Sequence, residues 1–210
     1  VSNRAGSLRS VTTTLAEVRT DALACTRCAL AEGRTQVVFG SGAPRAGLMF
    51  VGEGPGAEED RLGEPFVGRS GMLLDRLLDE ELGMRREQCY IANVVKCRPP
   101  DNRDPLPDEI QACHPWLEAQ LELVAPAVVV TLGKFASQLL LGRREGILSL
   151  RGRSYPFGAS VLVPTVHPAY ALRGGATPMA HLRADLVRAK RVLAGQAAAD
   201  GEPGTAEVRS

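Results

Sequence analysis

The chain has 210 residues, of which 44% are hydrophobic and 23% charged, with a formal net charge of +1. That size and balance suit one α/β domain, and the near-neutral charge excludes a protein that grips nucleic acid with its whole surface; any such face must be local. No apolar run reaches membrane-spanning length, and residues 1–10 hold no apolar signal core. With five cysteines, the expected setting is the cytoplasm, where thiols stay reduced and serve metals or clusters rather than disulfides.

Residues 1–10 are polar and read as a flexible N-terminus. A modest helix over residues 11–24 delivers Cys25-Thr26-Arg27-Cys28, and residues 35–39 form a short edge strand closed by Gly40-Ser41-Gly42-Ala43-Pro44. The apolar run Leu48-Met49-Phe50-Val51 predicts a buried strand. It leads into a glycine-dense loop, Gly52-Glu53-Gly54-Pro55-Gly56, continuing through Glu59, Asp60, Gly63, Pro65, Phe66, Gly68, Ser70 and Gly71. Leu73, Leu74, Leu77, Leu78 and Leu82 then recur at helical spacing, and Gly83 is placed to end that helix.

Residues 89–95 read as a second core strand carrying Asn93, and residues 96–105 as a proline-broken loop. Pro107-Asp108-Glu109 opens a helix with Ile110, Cys113, Trp116, Leu117, Gln120 and Leu121 along one side. Residues 127–132 form a third strand, apolar enough to be buried on both faces, and a helix from Gly133-Lys134 ends near Gly142. Residues 161–166 give a fourth strand with His167-Pro168-Ala169-Tyr170 just beyond it. Thr177-Pro178 reads as N-cap and first residue of a last helix that closes a single domain at residue 194, and residues 195–210 have the composition of a disordered tail.

This alternation predicts an α/β fold, a parallel sheet of four strands between two helical layers. In such sheets ligands bind beyond the carboxyl ends of the strands. Gly52 to Gly56, Asn93 and His167 all fall there, which argues for one composite site. The loop itself is neither a dinucleotide fingerprint nor a P-loop, because the glycine spacing differs and no Lys-Ser/Thr follows. Cys25-x-x-Cys28 has the bite of a metal half-site, and Cys97 and Cys113 can complete it. Four thiolates suit tetrahedral zinc or an iron–sulfur cluster equally. Cys89, heading an apolar strand, reads as a small core residue.

Over residues 23–193 the chain resembles the family 4 uracil-DNA glycosylases, the iron–sulfur branch of that superfamily. The resemblance rests on Cys25-x-x-Cys28, the loop at 52–56 with Glu59-Asp60, and Pro65-Phe66-Val67-Gly68. It extends through Asn93-Val94-Val95-Lys96-Cys97-Arg98-Pro99-Pro100, Cys113-x-Pro115-Trp116-Leu117 and His167-Pro168-Ala169-Tyr170. It implies a three-layer αβα sandwich, a 4Fe–4S cluster on Cys25, Cys28, Cys97 and Cys113, and removal of uracil from DNA as the free base, by a monomer. A related branch that traps DNA covalently carries a basic, histidine-containing insertion after the Asn strand; residues 98–105 hold no histidine, so turnover is expected.

On this resemblance, Phe66 stacks on a flipped pyrimidine and Asn93 reads uracil N3–H and O4. His167 and the backbone N–H groups of Gly52 and Gly54 support charge developing on O2. Glu53 orients water or steadies the cationic sugar, and Glu59 excludes a thymine methyl group. Arg98 and Arg173 are the expected DNA contacts, within a basic face that includes Arg143, Arg144, Arg151, Arg153 and Arg183. Two other readings compete: a glycosylase that also cleaves the strand through a lysine Schiff base, and a non-catalytic metal-stabilised module that binds damaged DNA. The first has only Lys96, Lys134 and Lys190 to draw on.

Overall fold

A computed structural model describes residues 13–195 and 197–201. The expectation of a flexible segment at residues 1–10 lies outside them. The sheet has six strands in the order β1-β3-β2-β4-β6-β5. They are β1 (Ser41–Gly42), β2 (Leu48–Gly52), β3 (Tyr90–Asn93), β4 (Val128–Leu132), β5 (Tyr155–Phe157) and β6 (Ser160–Thr165). The four inner strands, β3-β2-β4-β6, are parallel, as predicted, with Gly52 opposite Asn93 and Leu132 opposite Thr165 at their carboxyl ends. The two outer strands are antiparallel additions, so the sheet is mixed rather than four-stranded.

The period-2 alternation of a strand divides the core into two layers. Leu48 and Phe50 of β2 face one cluster with Ile91, Val130 and Val163, while Met49 and Val51 face the other with Tyr90, Ala92 and Val129. The first cluster is covered by α4 (Arg69–Leu77) and α9 (Ala176–Leu193), the second by α1 (Leu15–Leu23), α5 (Pro107–Val124) and α6 (Lys134–Leu141). The leucine stripe holds: Leu73, Leu74, Leu77, Leu78 and Leu82 are all buried, the last two in a π-helical turn stopped by Gly83 at φ 67°. A glycine-ended stop of the same kind closes α6, where Gly142 has φ 62°.

Four elements differ from expectation. Residues 35–39 do not form a strand, because the Thr35 and Gln36 N–H groups turn away to the Asp60 carboxylate; the Val38 N–H alone reaches Lys96 O, at 2.8 Å, and pairing with β3 begins only at Ser41. The hairpin β5–β6 was not anticipated; it turns at Gly158, φ 56°, in a two-residue loop of the kind that favours glycine. The last helix starts on Gly175, φ 73°, so Thr177-Pro178 lies inside its first turn rather than capping it. The tail is ordered at its start: Asp200 accepts from Ser154 N at 2.6 Å, and Asp200 N and Gly201 N donate to Ser154 O. Residues 202–210 lie outside the described part.

Candidate active site

The loop after β2 leads through α3 (Ala57–Leu62) to α4, and with α8 (Pro168–Gly174) and residues 99–104 it encloses a cavity of about 670 Å³ at the carboxyl ends of the inner strands. Glu53, Gly54, Glu59, Phe66, Asn93, His167 and Arg173 all line it. The structure thus brings these separate segments of the chain to one cavity. Gly52 does not itself line the cavity but lies behind two residues that do: a Cβ there would sit 2.4 Å from Asn93 Oδ1 and 2.6 Å from Phe66 Cζ, so only glycine leaves room for both side chains. The β2–β3 pairing runs on past the strands, with Val94 N donating to Gly52 O and Val95 N to Glu53 O, which fixes Glu53 at the cavity edge.

Phe66 adopts φ 52°, a left-handed conformation that costs a non-glycine residue about 1–3 kcal/mol and persists only where its surroundings over-determine it. Its ring lies 5.8 Å from the His167 ring, centroid to centroid, tilted by 32°. Glu59 Oε1 accepts from both Val67 N and Gly68 N at 2.9 Å. Its carboxylate thus shapes the loop that carries Phe66 as well as lining the cavity. Asn93 is 1% exposed, and its Oδ1 is buried without a hydrogen-bond partner. An orphaned acceptor in a cavity wall is costly unless a ligand satisfies it.

His167 Nδ1 accepts from Ala169 N at 3.1 Å, which places the ring proton on Nε2. Burial, then Arg173, pushes its pKa down to about 4, with a smaller opposing pull from Glu59. The ring is a neutral donor at physiological pH. Glu53 is shifted the other way: burial, then the Asp104 charge, raises it above the ordinary carboxylate range.

Several cavity residues had been assigned no role: Arg69 and Ser70 at the start of α4, Arg103 and Asp104 in the proline-broken loop, and Tyr170 at the rim. The run Gly68-Arg69-Ser70 was the available signal for the first two. Arg98 does not line the cavity; its Nε donates to Asn102 Oδ1 at 2.8 Å, and Asn102 does. Much of the basic face is taken up by ion pairs within the chain. Arg151 bonds buried Asp185 at 2.8 Å, Arg183 holds Glu80 and Glu81, Arg143 pairs with Glu145 and Arg188 with Asp200. Arg173 stays exposed at the cavity.

Cys25, Cys28, Cys97 and Cys113 line one second pocket, with Arg27, Arg34, Lys96 and Trp116. Cys89 sits in the opposite core layer, its thiol pushed up to about 12 by burial first and Glu87 second. Among the described residues no three His, Cys, Asp or Glu side chains gather tightly enough to hold a single metal ion. The donor set nonetheless suits thiolates: Arg34 Nη1 donates to Cys97 Sγ at 3.4 Å and Lys96 N to Cys113 Sγ at 3.2 Å. The Lys96 ammonium is buried at 1% exposure with neutral oxygens as hydrogen-bond partners, Asn93 O and Gln120 Oε1. A buried cation of this kind needs anions close by. The Trp116 Nε1–H in the same pocket is buried and unpartnered.

The cavity at the strand ends thus gathers an orphaned amide, a neutral imidazole and a half-buried carboxylate, groups suited to hydrogen-bonding a polar ring and stabilising charge beside it. The family model of the uracil DNA glycosylase superfamily matches residues 39–189, and the chain belongs to that superfamily. Within it the chain is 43% identical to a type-4 uracil-DNA glycosylase of Sulfurisphaera tokodaii over 75% of this chain and 76% of the relative. It is 50% identical to that of Thermotoga maritima over 71% and 78%, and 46% identical to that of Saccharolobus solfataricus over 70% and 72%. No helix among the described residues is long and apolar enough to cross a membrane.

Proposed function

We propose that this chain hydrolyses the N-glycosidic bond of a deoxyuridine flipped out of DNA, releasing uracil and leaving an abasic site. The observation that carries the reading is the buried, unpartnered Asn93 Oδ1 in a cavity wall beside Phe66. Uracil N3–H satisfies that acceptor, and the amide N–H₂ donates to O4. Cytosine presents the reverse pattern and would leave the orphan unpaired.

Phe66 offers its ring to the base. As the C1′–N1 bond breaks, the electron pair leaves with uracil and charge gathers on O2. The His167 Nε2–H donates to it, assisted by the N–H groups of Gly52 and Gly54. The sugar becomes cationic, Glu53 in its ionised form steadies it, and a water adds to C1′ as its proton passes to the Glu53 carboxylate. Glu59 closes the space beside uracil C5, and Arg173 holds a backbone phosphate; Arg98 acts on DNA only through the loop that it braces. Cys25, Cys28, Cys97 and Cys113 would hold a 4Fe–4S cluster, which would tie the N-terminal segment, the 96–105 loop and α5 together covalently. The protein works as a cytoplasmic monomer on DNA.

The lyase reading loses support because Lys96 is buried and bonded, Lys190 donates to Glu81 O, and neither these two nor Lys134 lines the cavity. The non-catalytic module gives no reason for an orphaned Asn93. The test is incubation with an oligonucleotide holding one uracil, with and without alkali. Nicking that depends on alkali is expected from the parent chain, and Asn93→Asp should lose it, since an ionised carboxylate repels a base leaving as an anion. Nicking without alkali, or parent-rate excision by Asn93→Asp, would sink the reading.

A further inference from the structure

We infer that Arg86, with Asp75, is a positioning residue that holds the Phe66 ring against the base, from outside the cavity. The inference rests on reading Phe66 as the stacking surface. In the left-handed conformation of Phe66, ring and carbonyl point apart. The ring lies over Gly52 on the cavity side, and the carbonyl turns back against α4, where a Cβ on Gly71 would stand 1.7 Å from Phe66 O. There Arg86 Nη1 donates to Phe66 O at 3.0 Å and Nη2 to Pro65 O at 2.7 Å. Asp75 Oδ2, from α4, holds the same guanidinium at 3.2 Å.

The next two residues are pinned separately by Glu59 through Val67 N and Gly68 N. Residues 65–68 are therefore clamped at both ends, and the one side chain that this clamp aims into the site is Phe66. Arg86 comes from a short 3₁₀ turn, Arg86–Gln88, does not line the cavity and is 23% exposed at its side chain. The planar guanidinium spans two successive carbonyls and a carboxylate in one fixed fork; an ammonium has three donors but, as a compact point charge on a different stem, does not reproduce that geometry. Among the described residues no other side chain donates to the Pro65 or Phe66 carbonyl, so without the fork the unfavourable φ of Phe66 loses its support there and the ring swings off the stacking position.

The experiment is a double-mutant cycle of Arg86→Ala and Phe66→Leu, read by three quantities: inhibition by free uracil, binding of abasic-site DNA, and single-turnover excision. Arg86→Ala should weaken uracil inhibition and lower excision on the order of 10- to 100-fold, the scale of a misplaced reacting group. Affinity for abasic DNA, which has no base to stack, should stay within about twofold. In the Phe66→Leu background the same change should cost almost nothing. Arg86→Lys keeps the charge beside Asp75 and carries the same cycle if Arg86→Ala fails to fold; it should fall between parent and Arg86→Ala. Fully additive penalties, or equal losses for uracil and abasic DNA, would overturn the positioning role. Parent-rate excision by Phe66→Leu alone would instead overturn the stacking reading, whatever Arg86 does.

Discussion

The base pocket and the cysteine corner lie at the two ends of one short stretch, from Asn93 to Cys97, yet they are held in different ways. The pocket is shaped by sterics and short hydrogen bonds: glycine at 52 and 71 where a Cβ would collide, and Glu59 and Arg86 bonding loop backbone. Every force there is internal to the chain. The corner instead gathers thiols from α1's exit, the 96–105 loop and α5, around a buried Lys96 whose hydrogen-bond partners are neutral. Thiolates at that corner would balance the Lys96 charge. The pocket is therefore self-sufficient in geometry, whereas the corner, on the proposed cluster reading, would draw its cohesion from coordination.

The largest expected effect follows directly. Serine at Cys25, Cys28, Cys97 or Cys113 should bleach the violet-to-visible absorption expected of a cluster and lower the melting temperature by many degrees, because metal binding of this kind is folding free energy. Cys89→Ser should keep the colour. Stoichiometric zinc in a colourless protein after iron-replete expression would contradict the cluster. At the other end, His167→Ala should slow single-turnover excision on the order of 100- to 1000-fold while leaving DNA affinity and the melting curve close to parent. If binding falls and the chemical step does not, His167 positions DNA instead.

This contrast also explains what was legible in the sequence. The glycine loop, Asn93, His167 and the leucine stripe of α4 announce themselves through spacing and composition, since backbone sterics and period-3.6 burial are local properties. The Arg86 clamp was invisible, because side-chain bonds to carbonyls 20 and 21 residues away follow no period. The arginines misled for the same reason. Arg183 is neutralised by Glu80 and Glu81, more than 100 residues earlier, and Arg151 by Asp185, so a local count of charge overstated the basic face. The edge strand failed because Asp60 captures the N–H groups that a ladder would have used.

A smaller effect sharpens the electrostatics of the pocket. If Glu53 works ionised, excision falls as pH drops through its raised pKa. Asp104→Asn removes the lesser of the two causes of that rise, so the acid limb should move to lower pH; burial, the larger cause, keeps it above the ordinary carboxylate range. His167 should add no limb above pH 4, being neutral until then. The linkage has a definite sign: a histidine with its pKa depressed on folding contributes stability that is intact above its unfolded value of about 6.5 and is lost as pH falls toward 4. Single-turnover rates from pH 4 to 8 decide the matter, and an unmoved limb in Asp104→Asn would separate Asp104 from Glu53.

The smallest effect concerns the start of the tail, whose composition pointed to disorder. Asp200 bonds Ser154 N at 2.6 Å, Ser154 Oγ at 2.9 Å and Arg188 Nη1 at 3.0 Å, and a Cβ on Gly201 would meet the Tyr155 ring at 2.6 Å. The segment thus docks on Ser154, the residue before β5, and over the Tyr155 ring. Its carboxylate is half exposed at 50%, so each bond is worth the low end of its usual range. Asp200→Ala should cost about 0.5–1.5 kcal/mol, a shift of roughly 1–5 °C in melting temperature for a domain of this size. Burial pushes the Asp200 pKa up, but the Ser154 hydrogen bonds and Arg188 outweigh it and hold the group below its usual value. The parent's advantage over Asp200→Ala is therefore present above pH 4 and should vanish as pH falls through the Asp200 pKa. Excision should be unchanged, since the tail and the cavity share no residue. Parallel melts of the two proteins from pH 7 down to pH 2 test both statements, and a difference that stays constant over that whole range would show that something other than the Asp200 charge docks the tail.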